Sequence, residues 1–332
     1  MSGFTWRQRL SRTVRRPSLE VHVPIAPTPS FLRQLQCLTH SLRRFGGVHS
    51  GAPVIATVGG DQVDTGLAQR LPWLAANGIE LRWVPHDYYQ SLGMFATVAT
   101  RLKHRFQSDV VLLLDADTLI RRPLDGLVEL VYRKQLVAGT IAHTSPLLGS
   151  KLDPPDWTRL FALFGLGEPR LAFEHTGWGY YFADPRLRYC PAYFNYGVVA
   201  GPAQMVTEIG RVSEAFLLQL REIMGSYYDA QLALAMAIAK LSTPVFALPL
   251  RYNMPNHPYL EALHATEVEP AVILHLLAEL HFRRVETFAS LTSLEAFLAR
   301  TDLRLVSAHA QEVIRAIFPS LSAEESLAAT AA

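Results

Sequence analysis

The stretch VVLLLDADTLI, residues 110–120, decides how this chain is read. Five apolar residues, Val110 to Leu114, run straight into Asp115 and Asp117 with only Ala116 between them. A continuous apolar run of this length predicts a short strand buried on both faces. Residues i and i+2 of an extended segment point the same way, so the pattern presents both carboxylates to one point at the strand's end. Adjacent carboxylates repel and each resists leaving water, so the arrangement calls for a cation, a proton or open exposure. A divalent metal meets that need most economically; two solvated turn residues after a core strand are the plainer reading.

Outward from this strand, apolar runs alternate with helical patterns. VHVPIA, PVIATVGG and IELRWVP read as short strands before it. Phe31, Leu35, Leu38 and Leu42 recur at helical spacing from Ser30 to Phe45, with Ser30 as N-cap and Gly46-Gly47 as stop. Helical stretches around 62–77 and 93–106 separate the next strands, and a helix over 123–134 precedes the strand LVAGTIA. Such alternation predicts an α/β fold, a Rossmann-like, mostly parallel central sheet with helices on both faces. Pro24 cannot donate to a ladder, which puts the first strand at an edge or a bulge. Residues 143–192 lose periodicity and gather Pro, Gly and aromatics, among them Trp157, Trp178, Tyr180 and Tyr181, as an elaborated loop region suited to a substrate or simply to packing. Order returns at YFNYGVVAG, in helices over 203–224 and 228–239, and in the runs PVFALPL and AVILHLL. SAEESLAATAA reads as a frayed end.

Composition narrows the classes. With 332 residues and 49% hydrophobic composition the chain buries a sizeable core. A net charge of +2 argues against nucleic acid as the partner. Cys37 and Cys190 stand far apart, so neither a disulfide framework nor a CxxC site is indicated, and a reduced, cytoplasmic setting follows. Arg7, Arg9, Arg12, Arg15 and Arg16 precede the first acid, Glu20, without an apolar stretch behind them. That run reads as a solvated basic tail, compatible with peripheral contact to an anionic membrane.

Two catalytic families answer to an apolar run closed by Asp-x-Asp. In the haloacid-dehalogenase-like phosphatases, which DADT resembles, the first Asp (here Asp115) is a nucleophile. That signature opens its sheet and is completed by a Lys and a closing acidic pair; here several strand-helix units come first, and Lys151, Lys240, Asp153 and Asp156 lack the setting. The second family is the GT-A glycosyltransferases. CPAYFNYGVVAGP (190–202) resembles the Phe-Asn-x-Gly-Val segment of glycosyltransferase family 8, the glycogenin-like group. YYDAQLALAMAIAK resembles that family's Asp-Gln and following helix, LPLRYN its Leu-Pro-x-x-Tyr-Asn, and VILHLL carries His275 where the family has its third metal ligand. Four segments in the right order span residues 21–284 and identify a divergent relative.

The resemblance implies a GT-A domain over 21–320, with a nucleotide-binding half (21–142) and an acceptor half (143–320), between a basic tail (1–20) and a flexible tail (321–332). It implies Mn²⁺ or Mg²⁺ held by Asp115, Asp117 and His275 against the diphosphate of a nucleoside-diphosphate sugar, a uridine diphosphate sugar first of all, with Ala116 alongside. It implies Asn195 beside the donor sugar and Asp229 or Gln231 at the reacting carbon; the family has Asp and Gln adjacent, whereas Ala230 separates them here. The family's diphosphate-binding Lys is missing from HLLAELHFRR, leaving Arg283 or Arg284 to supply its charge, and the basic residue expected before the Asp-x-Asp strand falls to Arg101 or Lys103. Transfer to a hydroxyl of a glycan, lipid-linked or protein acceptor with retained configuration is the implied activity. A non-catalytic nucleotide-sugar-binding protein of the same fold is the alternative.

Overall fold

The computed structural model describes residues 15–331, apart from residues 149, 151, 153, 154 and 278–281. Arg7, Arg9 and Arg12 of the basic tail, and Lys151 and Asp153, lie outside the described residues. The first half runs β1 (Leu19–Ile25), α1 (Pro29–Phe45), β2 (Val54–Val58), α2 (Leu67–Arg70), α3 (Pro72–Ala76), β3 (Ile79–Trp83), α4 (His86–Leu92), α5 (Met94–Thr100), β4 (Val110–Leu114), β5 (Thr118–Ile120), α6 (Asp125–Lys134) and β6 (Val137–Ile141). The second half adds α7 (Trp157–Leu163), β7 (Phe173–Glu174), β8 (Tyr189–Cys190), β9 (Phe194–Pro202), α8 (Ala203–Ile223), α9 (Asp229–Lys240), β10 (Val245–Ala247) and β11 (Met254–Pro255). It closes with α10 (Pro258–Leu263), α11 (Ala265–Val268), β12 (Ile273–His275), α12 (Arg284–Thr287), α13 (Leu291–Leu298) and α14 (Leu305–Ala331).

The main sheet has the order β10-β6-β9-β4-β1-β2-β3, parallel except for β9, which runs antiparallel to both β4 and β6. The apolar run of β4 is explained by its position. Val111 and Leu113 enter the core beneath α8 and α9, whereas Val110, Leu112 and Leu114 enter the core beneath α1 and α6. Each buried Val or Leu of this kind contributes about 1.5–3 kcal/mol, so a polar residue anywhere in the run would open one core or the other.

The first strand corrects the expectation raised by Pro24. β1 is interior, parallel to β2 on one side and β4 on the other. Val21 donates to Pro53 on the β2 side, so alternation aims the donor that Pro24 lacks toward β4. Pairing with β4 has ended by then, at His22, and no ladder bond is lost. The start of α1 also moves: Thr28, not Ser30, is the N-cap, its Oγ1 accepting from Phe31 N–H at 3.4 Å, with Pro29 in the first turn.

Two further expectations differ. Within 143–192, Trp157 is fully buried against Tyr193 and opens α7, while β7 and β8 pair antiparallel. At the other end, the helix α14 continues to Ala331 where the sequence suggests fraying from 321. Its Glu324 accepts hydrogen bonds from Gln36 and Asn77 and meets His40 Nε2 at 3.0 Å, which docks the helix on α1. Among the described residues, no helix is long and apolar enough to cross a membrane.

Candidate active site

The Asp-x-Asp segment is the hinge between two sheets. Asp115 N–H continues the main ladder to Gly197 O at 3.2 Å. The chain then turns: Thr118 donates its N–H (3.2 Å) and its Oγ1–H (2.8 Å) to Asp115 O, and β5 leaves to join a small sheet of order β11-β12-β5. The two carboxylates therefore converge through a turn, not through the i, i+2 alternation of an extended strand. Antiparallel pairing of β5 with β12 sets His275 opposite Thr118, and Leu276 N–H donates to Asp117 O at 2.8 Å. Strand register alone thus brings a histidine 158 residues further along the chain to the carboxylates. One ligand atom from each of Asp115, Asp117 and His275 lies within 4.8 Å of the others.

A chain of amides fixes the histidine's tautomer. Gly197 N–H can only donate, and it reaches Asn195 Oδ1 at 2.9 Å. Asn253 must then offer its Nδ2 to the same oxygen, at 3.0 Å, which turns Asn253 Oδ1 toward His275 Nδ1 at 2.9 Å. Nδ1 carries the proton, and Nε2 is left with a lone pair. Burial pushes the His275 pKa down while Asp115 pulls it up, so the ring is neutral near pH 7. Its Nε2 faces Asp117 Oδ1 at 3.3 Å, two acceptors with no proton between them. That juxtaposition fits a shared cation. Gly197 is required for it: a Cβ there would lie 2.4 Å from His275 Cε1 and 2.6 Å from Nδ1.

Two arginines bear on the carboxylates from opposite sides. Arg101 is fully buried behind the site, its guanidinium 4.5 Å from the Tyr196 ring centroid, donating to Leu114 O at 3.2 Å and approaching Asp115 Oδ1 at 3.7 Å. It does not line the cavity and reaches a ligand only through Asp115. Arg284 does line the cavity, and its Nη1 donates to Asp117 Oδ2. Arg283 instead points away, with 74% of its side chain exposed and an ion pair to Glu286 at 2.8 Å. Lys103 is taken up by Glu214 and the Tyr88 ring.

These groups open on a cavity of about 760 Å³ whose wall includes Pro24, Phe31, Asp115, Ala116, Asp117, His143, Tyr181, Asn195, Tyr227, Gln231, His275 and Arg284. Gln231 stands in this wall with its Oε1 accepting from Tyr196 N–H at 3.1 Å. Asp229 does not. It is fully buried in the first turn of α9, accepting from Ser226 N–H at 2.9 Å and from Arg221 at 3.4 Å, and burial raises its carboxyl pKa against those two bonds. Asn195 keeps its place in the wall, yet its Oδ1 is spent on Gly197 and Asn253. Asn253 had no role assigned from the sequence although it sat in the quoted LPLRYN; nothing in that string tells that its amide would orient His275.

The chain is a mixed α/β fold whose mostly parallel main sheet is crossed by one antiparallel strand, matching solved structures of the GT-A fold. No protein-family profile matches the chain, and no curated protein matches it by sequence. Solved structures do resemble it. The galactosyltransferase LgtC, in complex with donor and acceptor sugar analogs, superposes with a TM-score of 0.50 at 15% identity over 85% of this chain and 97% of its own. WbbM, a bifunctional glycosyltransferase, superposes with a TM-score of 0.50 at 14% identity over 87% of this chain. This chain spans about half of WbbM, 51% of its length.

Proposed function

We propose that the chain is a metal-dependent glycosyltransferase that moves a sugar from a nucleoside-diphosphate sugar, a uridine diphosphate sugar first of all, to an acceptor hydroxyl. The observation that carries this reading is the neutral His275 lone pair set 3.3 Å from a buried carboxylate oxygen, with Asp115 beside them at the cavity wall. Carboxylate oxygens with one imidazole nitrogen suit Mn²⁺ or Mg²⁺, Mn²⁺ tolerating the nitrogen better. Asp115, Asp117 and His275 would hold that ion, which supplies Lewis-acid neutralisation of charge on the departing diphosphate. Arg284 offers the diphosphate a second cation with forked geometry. Arg101 fixes Asp115 from behind. Pro24 and Phe31 add apolar surface to the cavity wall that suits the base.

Gln231 and Asn195 are the polar groups assigned to the donor sugar. Retention of configuration is favoured because the inverting alternative needs a carboxylate base at the acceptor, and Asp229 is closed off from the cavity. Glycan, lipid-linked or protein acceptors remain the partner class, in a cytoplasmic setting where the arginine-rich segment would touch an anionic membrane. A non-catalytic nucleotide-sugar-binding protein is the second reading, drawn from Arg284, which sets an internal cation on Asp117 against an external one. The phosphatase reading gains nothing, since Asp156 merely caps α7. Incubation with uridine and guanosine diphosphate sugars, with and without Mn²⁺, separates the two main readings. Mn²⁺-dependent release of the nucleoside diphosphate that Asp115→Ala abolishes supports the enzyme; full activity in that variant sinks the metal assignment.

A further inference from the structure

Among the described residues, the charged groups at the cavity wall and just behind it are paired one for one. Asp115 is backed by Arg101 at 3.7 Å, Asp117 accepts from Arg284, and Asp229 meets Arg221 at 3.4 Å. His143 and His275, whose pKa values burial pushes down, add no charge near pH 7. A divalent ion entering alone therefore leaves this balanced site with excess positive charge, in a cavity where water screens it less than in bulk. The diphosphate of a nucleoside-diphosphate sugar, with one negative charge on each phosphorus, restores the balance.

The three pairs differ in their freedom to rearrange. Arg101 is fully buried and also donates to Leu114 O at 3.2 Å. Arg221 lies over the Phe95 ring, 4.6 Å from its centroid, and its partner Asp229 is fully buried. Arg284 stands in the cavity wall with 30% of its side chain exposed, and among the described residues its one hydrogen-bond partner is Asp117. Its backbone is fixed, because the buried rings of Phe282 and Phe288 flank it and Phe282 packs edge-on against Phe297 at 5.5 Å. The guanidinium can thus leave Asp117 by rotation of its own side chain while α12 stays in place. Asp117 divides its oxygens to match: Oδ1 faces the His275 Nε2 lone pair at 3.3 Å, and Oδ2 accepts from Arg284.

We propose that Arg284 is an exchangeable counter-ion: it neutralises Asp117 in the metal-free chain and passes to the diphosphate when metal and nucleotide enter, so the divalent ion is taken up with its nucleotide and not before it. The proposal rests on the glycosyltransferase reading of the cavity. It differs from a purely structural role in the sign of its effects. A residue that only held the site together would lower both affinities when removed, whereas a counter-ion raises the affinity for the metal alone and lowers that for the nucleotide.

The test measures two affinities in the parent, Arg284→Gln and Arg284→Lys: Mn²⁺ alone, by electron paramagnetic resonance, and uridine diphosphate at saturating Mn²⁺, by calorimetry. Arg284→Gln should bind Mn²⁺ alone roughly tenfold more tightly than the parent, since one positive charge is removed from beside the ion. It should bind uridine diphosphate roughly tenfold more weakly. Arg284→Lys keeps the charge without the fork and should move both affinities in the same directions by less. The metal-free Arg284→Gln protein should also melt at a lower temperature, because Asp117 is left buried without its cation, and Mn²⁺ should restore the loss. If Arg284→Gln does not fold, the signs seen in Arg284→Lys decide. Unchanged or weaker binding of Mn²⁺ alone in the variants, with uridine diphosphate still bound by the parent, overturns the exchange and leaves the glycosyltransferase reading standing. Binding of neither Mn²⁺ nor uridine diphosphate by any of the three proteins overturns both.

Discussion

Gly197→Ala is the sharpest perturbation of the metal centre, because it adds one methyl group and touches no ligand atom. The new Cβ would stand 2.4 Å from His275 Cε1, and ordinary contact begins at 3.4 Å, so the ring must retreat by about 1 Å. It has little room to do so. Nδ1 is held by Asn253 at 2.9 Å, and the backbone is pinned by the pairing of His275 with Thr118. Overpacking of this kind costs about 1–3 kcal/mol in stability, which at this chain length lowers the melting temperature by only a few degrees, roughly 1–2 °C per kcal/mol. The larger effect falls on the ligand geometry. Displacing an oriented histidine typically costs about 10–100-fold in metal affinity. Mn²⁺ binding followed by electron paramagnetic resonance, beside a thermal melt of the same sample, reads both quantities. A folded Gly197→Ala protein that binds Mn²⁺ as tightly as the parent would refute the assignment of His275 as a ligand oriented through Asn195, Gly197 and Asn253.

Asn253→Leu should act through the same chain, freeing the tautomer and lowering Mn²⁺ affinity roughly tenfold or more, with unchanged affinity counting against the amide relay. Arg284→Ala should weaken uridine diphosphate binding at least about tenfold by loss of a charge-assisted bond, while Arg283→Ala should stay within about twofold; calorimetry that finds the reverse would exchange their roles. Arg101→Met leaves the Leu114 carbonyl without its buried donor and should cost roughly 1–3 kcal/mol in urea denaturation. For pH, the folded pKa of His143 lies near 3, below the usual 6.5, so the unfolded chain binds more protons between those values. Its stabilising effect is whole above pH 6.5 and is lost as pH falls toward 3. His143→Asn should therefore flatten the fall in stability between pH 6.5 and 4 by up to about 1.4 kcal/mol per pH unit; an unaltered slope would contradict a neutral, buried His143.

Strands and helices were legible wherever one rule governed them. VVLLL could only be a strand covered on both sides, and it lies at the centre of the sheet between two cores. Pro24 misled because the rule against proline in central strands ignores how far each neighbour extends; β4 stops pairing before Pro24 is reached. The Ala-rich end looked loose because its anchor, Glu324, bonds to residues some 250 to 290 positions away. In the site, Asp115, Asp117 and His275 could be picked out by type and resemblance. Which of Arg283 and Arg284 enters the cavity could not, since the difference is one residue of phase at the start of α12. Asn253 was invisible as the partner of His275 for another reason. Its orientation follows from Gly197 N–H, which is obliged to donate to Asn195, and that is a property of a three-dimensional hydrogen-bond chain.

The most direct measurement is calorimetry of uridine diphosphate binding with and without Mn²⁺, in the parent chain and in Asp115→Ala. Binding in the parent should require Mn²⁺, and Asp115→Ala should remove the metal-dependent part while remaining folded. Equal binding with and without Mn²⁺, or metal-dependent binding that survives in Asp115→Ala, would contradict a metal-held diphosphate at the end of VVLLLDAD.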